Sequence, residues 1–242
     1  MNTSDIWGLA ILDYLNGNKA ASIITETCVT DSDELKVSYL FRNFDEMPVV
    51  EQKALQLCKG STLDIGCGVG SHSLYIKSKG LTVFPIDISA GAIEACHYRG
   101  LTEARVVDLH QLKDEKFDTV LLLMNGIGLA GTLANTSSFI SHLKSLLTSN
   151  GQIILDSSDI RYLYDTDEDG GLWIPADKEY FGDLLFTVSY QNKKQKPFPW
   201  VYVDFENLKI ICENLDLNCQ KVYDGPHFDF LVKITPKKQI PT

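Results

Sequence analysis

The chain predicts a doubly wound α/β fold, a mostly parallel sheet with helices on both faces. Three observations carry that prediction. Apolar runs of strand length alternate with helix-length segments over residues 61–156. Three of those runs carry an acid at or near their ends: Asp64, Asp87 and Asp108. The first run feeds a loop with glycine at alternate positions, Gly66, Gly68 and Gly70. Ligands of open α/β sheets bind outside the carboxyl ends of the strands, so acids and glycines gathered there mark a site.

Taken in order, residues 5–16 place Ile6, Leu9 and Leu12 at helical spacing, with Asn16-Gly17 as a stop. A second helix is expected from about Val49 to Cys58, after an aromatic-rich connection over residues 39–48. Strands are expected near 61–65, 82–86, 104–108, 117–124 and 152–156, and helices near 70–79, 89–99 and 136–148. The run Val120-Leu121-Leu122-Leu123 reads as a strand buried on both faces. Asn150-Gly151 reads as the stop before the fifth strand. A helix near 205–215 and strands near 217–223 and 228–234 complete the pattern. Residues 157–203 interrupt it as an insert. Within the insert, Leu184, Phe186, Val188 and Tyr190 alternate with Leu185, Thr187 and Ser189. A lysine-rich turn follows, and Phe198 to Val203 returns, so a β-hairpin is expected, extending the sheet or covering the cleft.

The loop sequence is Leu63-Asp64-Ile65-Gly66-Cys67-Gly68-Val69-Gly70-Ser71. Alternate glycines let the chain turn sharply and let a ligand lie against the backbone. A dinucleotide fingerprint would need a small apolar residue where Ser71 stands, and its pyrophosphate would meet Asp64 unfavourably. The segment resembles motif I of the class I (Rossmann-like, seven-stranded) SAM-dependent methyltransferases, where SAM is S-adenosylmethionine. Asp87, 17 residues past Gly70 and followed by a helix start at Ser89, suits that family's second strand. Phe117 to Gly126 looks like its motif IV.

The resemblance implies a seven-stranded sheet in the order 3-2-1-4-5-7-6 with the last strand antiparallel. It implies residues 1–60 as an N-terminal helical cap segment and 61–242 as the methyltransferase domain; the insert 157–203, which follows the fifth strand at the carboxyl edge where ligands bind, is expected as an acceptor-side lid. It implies SAM as cofactor and S-adenosylhomocysteine as product. Carried over residue by residue, the cofactor-binding set is Asp64, Gly66, Cys67, Gly68, Gly70, Asp87, Ile88, Asp108, Leu109 and Asn125. Asp64 suits the cationic ammonium and sulfonium, Asp87 the ribose hydroxyls, and Asp108 the adenine amino group. The plainer reading of Asp87 is a helix N-terminal acid beside Ser89. Tyr39 and Arg42 are candidates for closing the pocket, Arg42 by pairing with the methionine carboxylate. Packing by Tyr39, Leu40 and Phe41 beside a surface arginine is the competing reading.

A formal net charge of −10 argues against nonspecific nucleic-acid binding. The six cysteines form no C-x-x-C pair and read as reduced, mostly buried thiols. Met1 to Leu15 carries two acids and no basic stretch, and no apolar run approaches the ~18 residues of a membrane span, so a cytoplasmic protein without a membrane partner is expected. Asp165 to Gly170 resembles half of a calcium loop, but its twelfth position is Ala176 rather than glutamate. Asp156, Asp159 and Asp165 offer only a faint case for a metal-binding acid cluster, and no metal is expected. No catalytic residue is assignable; His72, near the start of a helix facing the cofactor, reads first as a capping or packed imidazole. The functional reading is methyl transfer from SAM to a small-molecule acceptor. A protein or RNA acceptor, or a SAM-binding protein without catalysis, are the alternatives. Oligomeric state is open.

Overall fold

The computed structural model describes residues 5–169, 171–175 and 178–237. Helix α1 (Ile6–Leu15), strands β1 (Ser22–Thr27) and β2 (Asp33–Lys36) and helix α2 (Val49–Leu57) precede the central sheet. The alternating core is β3 (Thr62–Ile65), α3 (Ser71–Ser78), β4 (Val83–Asp87), α4 (Ala90–Tyr98), β5 (Arg105–Val106), β6 (Phe117–Leu122), α5 (Leu133–Ser145) and β7 (Leu147–Ser158). The insert carries β8 (Asp183–Tyr190), β9 (Lys193–Lys194) and β10 (Phe198–Val201). Helix α6 (Phe205–Asn214), β11 (Leu217–Asp224) and β12 (Asp229–Pro236) follow.

The central sheet has seven strands in the order β11-β12-β7-β6-β3-β4-β5. Every adjacent pair from β5 to β7 is parallel, and β12 is antiparallel to both of its neighbours. Counted from β3 as the first strand, this is the expected order 3-2-1-4-5-7-6 with the last strand reversed. The two faces bury alternate side chains, as strand geometry requires. Leu63, Val120, Leu122, Ile153 and Leu155 share a core with Phe139 and Leu143 of α5 and Leu208 of α6. On the opposite face Leu121, Leu123, Ile154 and Leu231 pack with Ala54 and Leu55 of α2 and Ile76 of α3. Asp64 stands in register with Leu121, and Asp156 has the parity of Ile154, so both acids belong to the α2–α3 face. Burial among apolar neighbours on that face is what later sets their charge state.

Three expectations need correction. The first 60 residues are not helical alone: β1 and β2 lie between α1 and α2. Second, β8 and β10 pair with each other, but their ladder does not extend the central sheet. It joins the N-terminal strands in a second sheet, β10-β8-β1-β2, with β9 paired to β8. Residues from both ends of the chain close that sheet, a long-range pairing that no local pattern announces. Third, Asn150-Gly151 is not a stop. α5 ends at Ser145, β7 begins at Leu147, and the pair lies inside the strand, where the ladder with β6 shifts register. In the acidic loop, Asp167 accepts from the backbone N–H of Asp169 and Gly171, a closed turn; Gly170 and Ala176 lie outside the described residues. Among the described residues, no helix is long and apolar enough to cross a membrane.

The second sheet leans on the carboxyl edge of the first. Val188 and Tyr190 of β8 and Ile23 of β1 share a core with Ile6, Ala10 and Ile11 of α1, and with Val69, Ala92 and Ala95 beside the glycine loop and α4. One carboxylate ties the two units. Asp5 caps α1 through the Gly8 N–H and accepts from the Ser89 hydroxyl and the Gly91 N–H at the start of α4. The helices meet so closely there that a Cβ on Gly91 would lie 2.5 Å from the Gly8 Cα. Overpacking of this kind costs about 1–3 kcal/mol. Gly91→Ala is therefore expected to lower the urea midpoint by that order; an unchanged midpoint would show that α1 does not rest on α4.

Candidate active site

The carboxyl ends of β3, β4, β5 and β6 converge because these strands are neighbours in the sheet. At the centre, Gly66, Gly68 and Gly70 have φ of +68°, +54° and +79°, the left-handed region that glycine reaches without a Cβ penalty. A Cβ on Gly66 or Gly68 would meet no protein atom within 4 Å, so those two backbone faces are open. Gly70 instead packs against Leu101 and Cys96, and it starts α3. The loop is held from β4: the Gly66 and Cys67 N–H groups donate to the Ile86 carbonyl. Cys67 itself is buried, its sulfur 4.0 Å from that of Cys96.

Asp87 ends β4, and its carboxylate accepts from the Gly68 N–H at 2.9 Å and the Ser89 N–H at 2.8 Å. Burial raises its pKa, and the two N–H donors oppose that rise. A carboxylate has about four acceptor positions, so two remain for another donor. The helix-cap role belongs to Ser89, whose hydroxyl accepts from the Ala92 N–H. Ile88, beside Asp87, is 74% exposed, an apolar face left to solvent. After β5, Asp108 caps a short 3₁₀ turn by accepting from the His110 N–H, while Leu109 is buried in the core. After β6, Met124 and Asn125 both take left-handed backbone angles, and the Asn125 N–H donates to Asp156 Oδ1 at 2.9 Å.

Asp64, Arg42 and Tyr39 are held by buried or half-buried contacts. The Asp64 carboxylate is buried beneath the loop and accepts from the Ser73 hydroxyl at 2.6 Å; burial raises its pKa. Arg42 is neither on the surface nor free for a ligand carboxylate. Its Nη2 donates to both oxygens of Glu51, at 2.5 and 2.6 Å, and Nη1 donates to the Tyr39 carbonyl. The guanidinium stacks on the Tyr39 ring, 4.0 Å from its centre, and Tyr39 is partly exposed. Glu51 also pairs with His72 Nε2 at 2.7 Å. Burial alone would raise the Glu51 pKa, but the bond and charge of His72 and the Arg42 guanidinium bring it below the ordinary value.

Sequence reasoning missed Glu51, and gave Asp156 only a passing mention among metal-site acids. A signal for Glu51 existed: it shares a helical stripe with Ala54 and Leu55, where an acid is out of place unless paired. Asp156 is 8% exposed, and burial pushes its carboxyl up to about 7. Among the described residues, no group of three or more His, Cys, Asp and Glu side chains is placed to hold a metal ion.

A family model described as a methyltransferase domain matches residues 63–155. A solved SAM-dependent methyltransferase from Bacteroides fragilis, in complex with S-adenosylhomocysteine, is 36% identical, with a TM-score of 0.89 over 98% of this chain and 97% of that one. The chain belongs to the SAM-dependent methyltransferases. Its cofactor is SAM, and the open, left-handed glycine loop fits such a ligand, since a side chain at Gly66 or Gly68 would fill the space against the backbone. More distant structures share the fold alone. The CcbJ methyltransferase from Streptomyces caelestis is 13% identical with a TM-score of 0.59, covering 81% of this chain and 95% of that one. The amino pentose methyltransferase CalS10 from Micromonospora echinaspora is 14% identical with a TM-score of 0.53, covering 83% and 94%. No curated protein matches the methyltransferase.

Two outcomes follow from this geometry. Gly68→Val places a branched side chain on the open face at a left-handed position, and Asp87→Ala removes a charged acceptor worth roughly 1.5–3 kcal/mol, or about 10- to 150-fold in affinity. Calorimetric titration with SAM is expected to show weakened binding in both, with Asp87→Asn losing less. Parent-like affinity in folded Asp87→Ala would move the ribose to another residue.

The second outcome is a pH dependence of stability. Asp156 has a folded pKa above its unfolded one, so its contribution is complete below about 3.8 and is lost as pH rises through about 7. Glu51 has the opposite sign, contributing above its ordinary 4.5 and losing that contribution as pH falls. Urea midpoints measured from pH 4 to 8 should therefore decline less steeply with rising pH in Asp156→Asn than in the parent, with the acid limb kept. Parallel profiles would mean that Asp156 is ionised throughout.

Proposed function

We propose that the methyltransferase acts on a small-molecule acceptor bound at the carboxyl ends of β6 and β7, under the second sheet. What supports this most is a group of aromatic rings from separate parts of the chain, which we read as the acceptor's mouth. Tyr162, in the 3₁₀ turn Ile160–Leu163 that follows β7, stacks on Phe228 before β12, with centroids 4.7 Å apart. Both rings are more than half exposed, and Met124 is exposed after β6. Tyr202, just beyond β10, lies within electrostatic reach of both Tyr162 and Asp156, and burial raises its phenol to about 12. Apolar walls with few polar groups suit a small ligand. Trp200 does not join this mouth: its indole lies against Gly128, where a Cβ would strike it.

On this reading the cofactor residues divide by moiety. Gly66, Cys67, Gly68 and Gly70 form the cradle, and Asp87 holds the ribose hydroxyls. Ile88, Asp108 and Leu109 surround the adenine, and Asn125 lies near the methyl group. Asp64 contributes negative charge from beneath the loop. Tyr39 closes the methionine end, with Arg42 holding it in place rather than binding the ligand. Residues 1–60 act together with the insert, 157–203, because they share a sheet, and the pair shapes acceptor choice. Held in near-attack geometry with water excluded, an already activated methyl group needs little further chemistry from the protein.

The test is partition of the acceptor. Cell extract is separated into small-molecule and macromolecular fractions, and release of S-adenosylhomocysteine is measured with each. The small-molecule fraction is expected to support turnover. Turnover confined to protein or RNA would replace this reading with a macromolecular one.

A further inference from the structure

Each buried or half-buried acid around the site has its charge answered, with one exception. Glu51 has Arg42 and His72. Asp87 has two backbone N–H donors. Asp159, at the mouth, is bound by Arg161. Asp64 has the Ser73 hydroxyl and lies under the loop that cradles a cofactor with two cationic centres. Asp156 accepts one hydrogen bond, through Oδ1 from a neutral backbone N–H, and its Oδ2 has no hydrogen-bond partner among the described residues. The groups facing it are Glu51 from α2, His72 from α3 and the Tyr202 phenol. None is a permanent cation. Oδ2 is not among the fully covered polar atoms that lack a partner, so it stays open to a donor from outside the protein. A carboxylate of a buried residue with no permanent cation facing it is rarely left so without a functional reason.

We infer that Asp156 is the acceptor-side catalytic residue, and that the acceptor is a small amine whose ammonium form it binds through Oδ2; this rests on the small-molecule reading above. Charge decides between amine and alcohol. An ammonium brings both N–H donors and the positive charge that the Asp156 carboxylate lacks; a hydroxyl brings one donor and no charge.

The proton balance is simple. Asp156 takes one proton from the bound ammonium, which frees the nitrogen lone pair. Bound SAM supplies an electrophilic methyl group, so that the N–C bond forms as the S–CH₃ bond breaks and its electron pair stays on sulfur. The methylated amine leaves as an ammonium, and Asp156 passes its proton to water. One proton is released per turnover.

The test uses the full chain and the small-molecule fraction, with and without N-acetylation by acetic anhydride. Methyl-deuterated SAM marks the product for mass spectrometry. Acetylation is expected to abolish methyl incorporation, and the product of the untreated fraction should carry the label on nitrogen. Asp156→Asn should lower kcat by about 10²- to 10⁴-fold, with Asp156→Glu recovering part of the loss. Calorimetry should show SAM affinity within a few-fold of the parent, and urea unfolding should confirm that the variants fold. A readout independent of turnover is native mass spectrometry of the S-adenosylhomocysteine-loaded protein equilibrated with the untreated fraction. The parent should retain an amine that Asp156→Asn does not. Undiminished transfer to the acetylated fraction, or parent-like turnover in Asp156→Asn, would overturn the inference while leaving the small-molecule reading intact. A small-molecule fraction that accepts no methyl at all would remove that reading, and this inference with it.

Discussion

The hydrogen bond from the Gly68 N–H to Asp87 organises more of this molecule than its length suggests. It joins a loop whose glycines all require left-handed angles to the end of the neighbouring strand. The same carboxylate accepts from Ser89, whose hydroxyl caps α4 and also donates to Asp5. Asp5 in turn caps α1. A continuous chain of hydrogen bonds thus runs from the cofactor loop to the first helix, and α1 carries the second sheet on its other side through a shared apolar core. Charge-assisted bonds of this kind are about twice as strong as neutral ones, and each one here fixes the end of an element.

Beneath the loop the logic changes from backbone to buried charge. Arg42, Glu51 and His72 come from the 39–48 connection, α2 and α3, so their contacts weld the N-terminal segment to the start of the helix that follows the glycine loop. Such a cluster is weak evidence for stability, because desolvation offsets most of the Coulomb gain. Its effect is one of placement. Arg42 cannot leave Glu51 without stranding a buried carboxylate, so the Tyr39 ring stacked on the guanidinium is held in place.

Elements with local causes were legible in the sequence. The glycine loop, the acids closing β4 and β5, and the strand–helix rhythm of residues 61–156 depend on near neighbours and on the period of the apolar pattern. The family resemblance then carried the strand order. What escaped depends on distant pairing. β1 and β2 are short and mostly uncovered, with the half-exposed, polar pattern of a loop; they pair with each other, and β1 then pairs with β8 from the insert. Arg42 sits beside aromatic residues in the sequence, which suggested a surface or ligand role, whereas its partner lies nine residues on, in the first turn of α2. Asn150-Gly151 has the composition of a turn, yet Gly151 is so tightly enclosed that a Cβ would come within 2.9 Å of the Phe117 carbonyl, which makes it a packing glycine inside a strand.

The two halves of the site also differ in what specifies them. The cofactor side is built largely from backbone: open glycine faces, N–H groups and strand ends, all set by the order of the sheet. A chain that keeps this sheet keeps that side, and short motifs suffice to recognise it. The acceptor side proposed above draws on side chains of β7, the turn after it, the segment before β12 and the residue following β10. β7 meets β12 within the central sheet, while Tyr202 follows a strand of the second sheet. No linear pattern encodes that meeting, and the fold class is silent on it, because function resides in the site and not in the sheet that supports it. The lone backbone hydrogen bond to Asp156 is a property of the folded molecule, invisible until burial and partners are known.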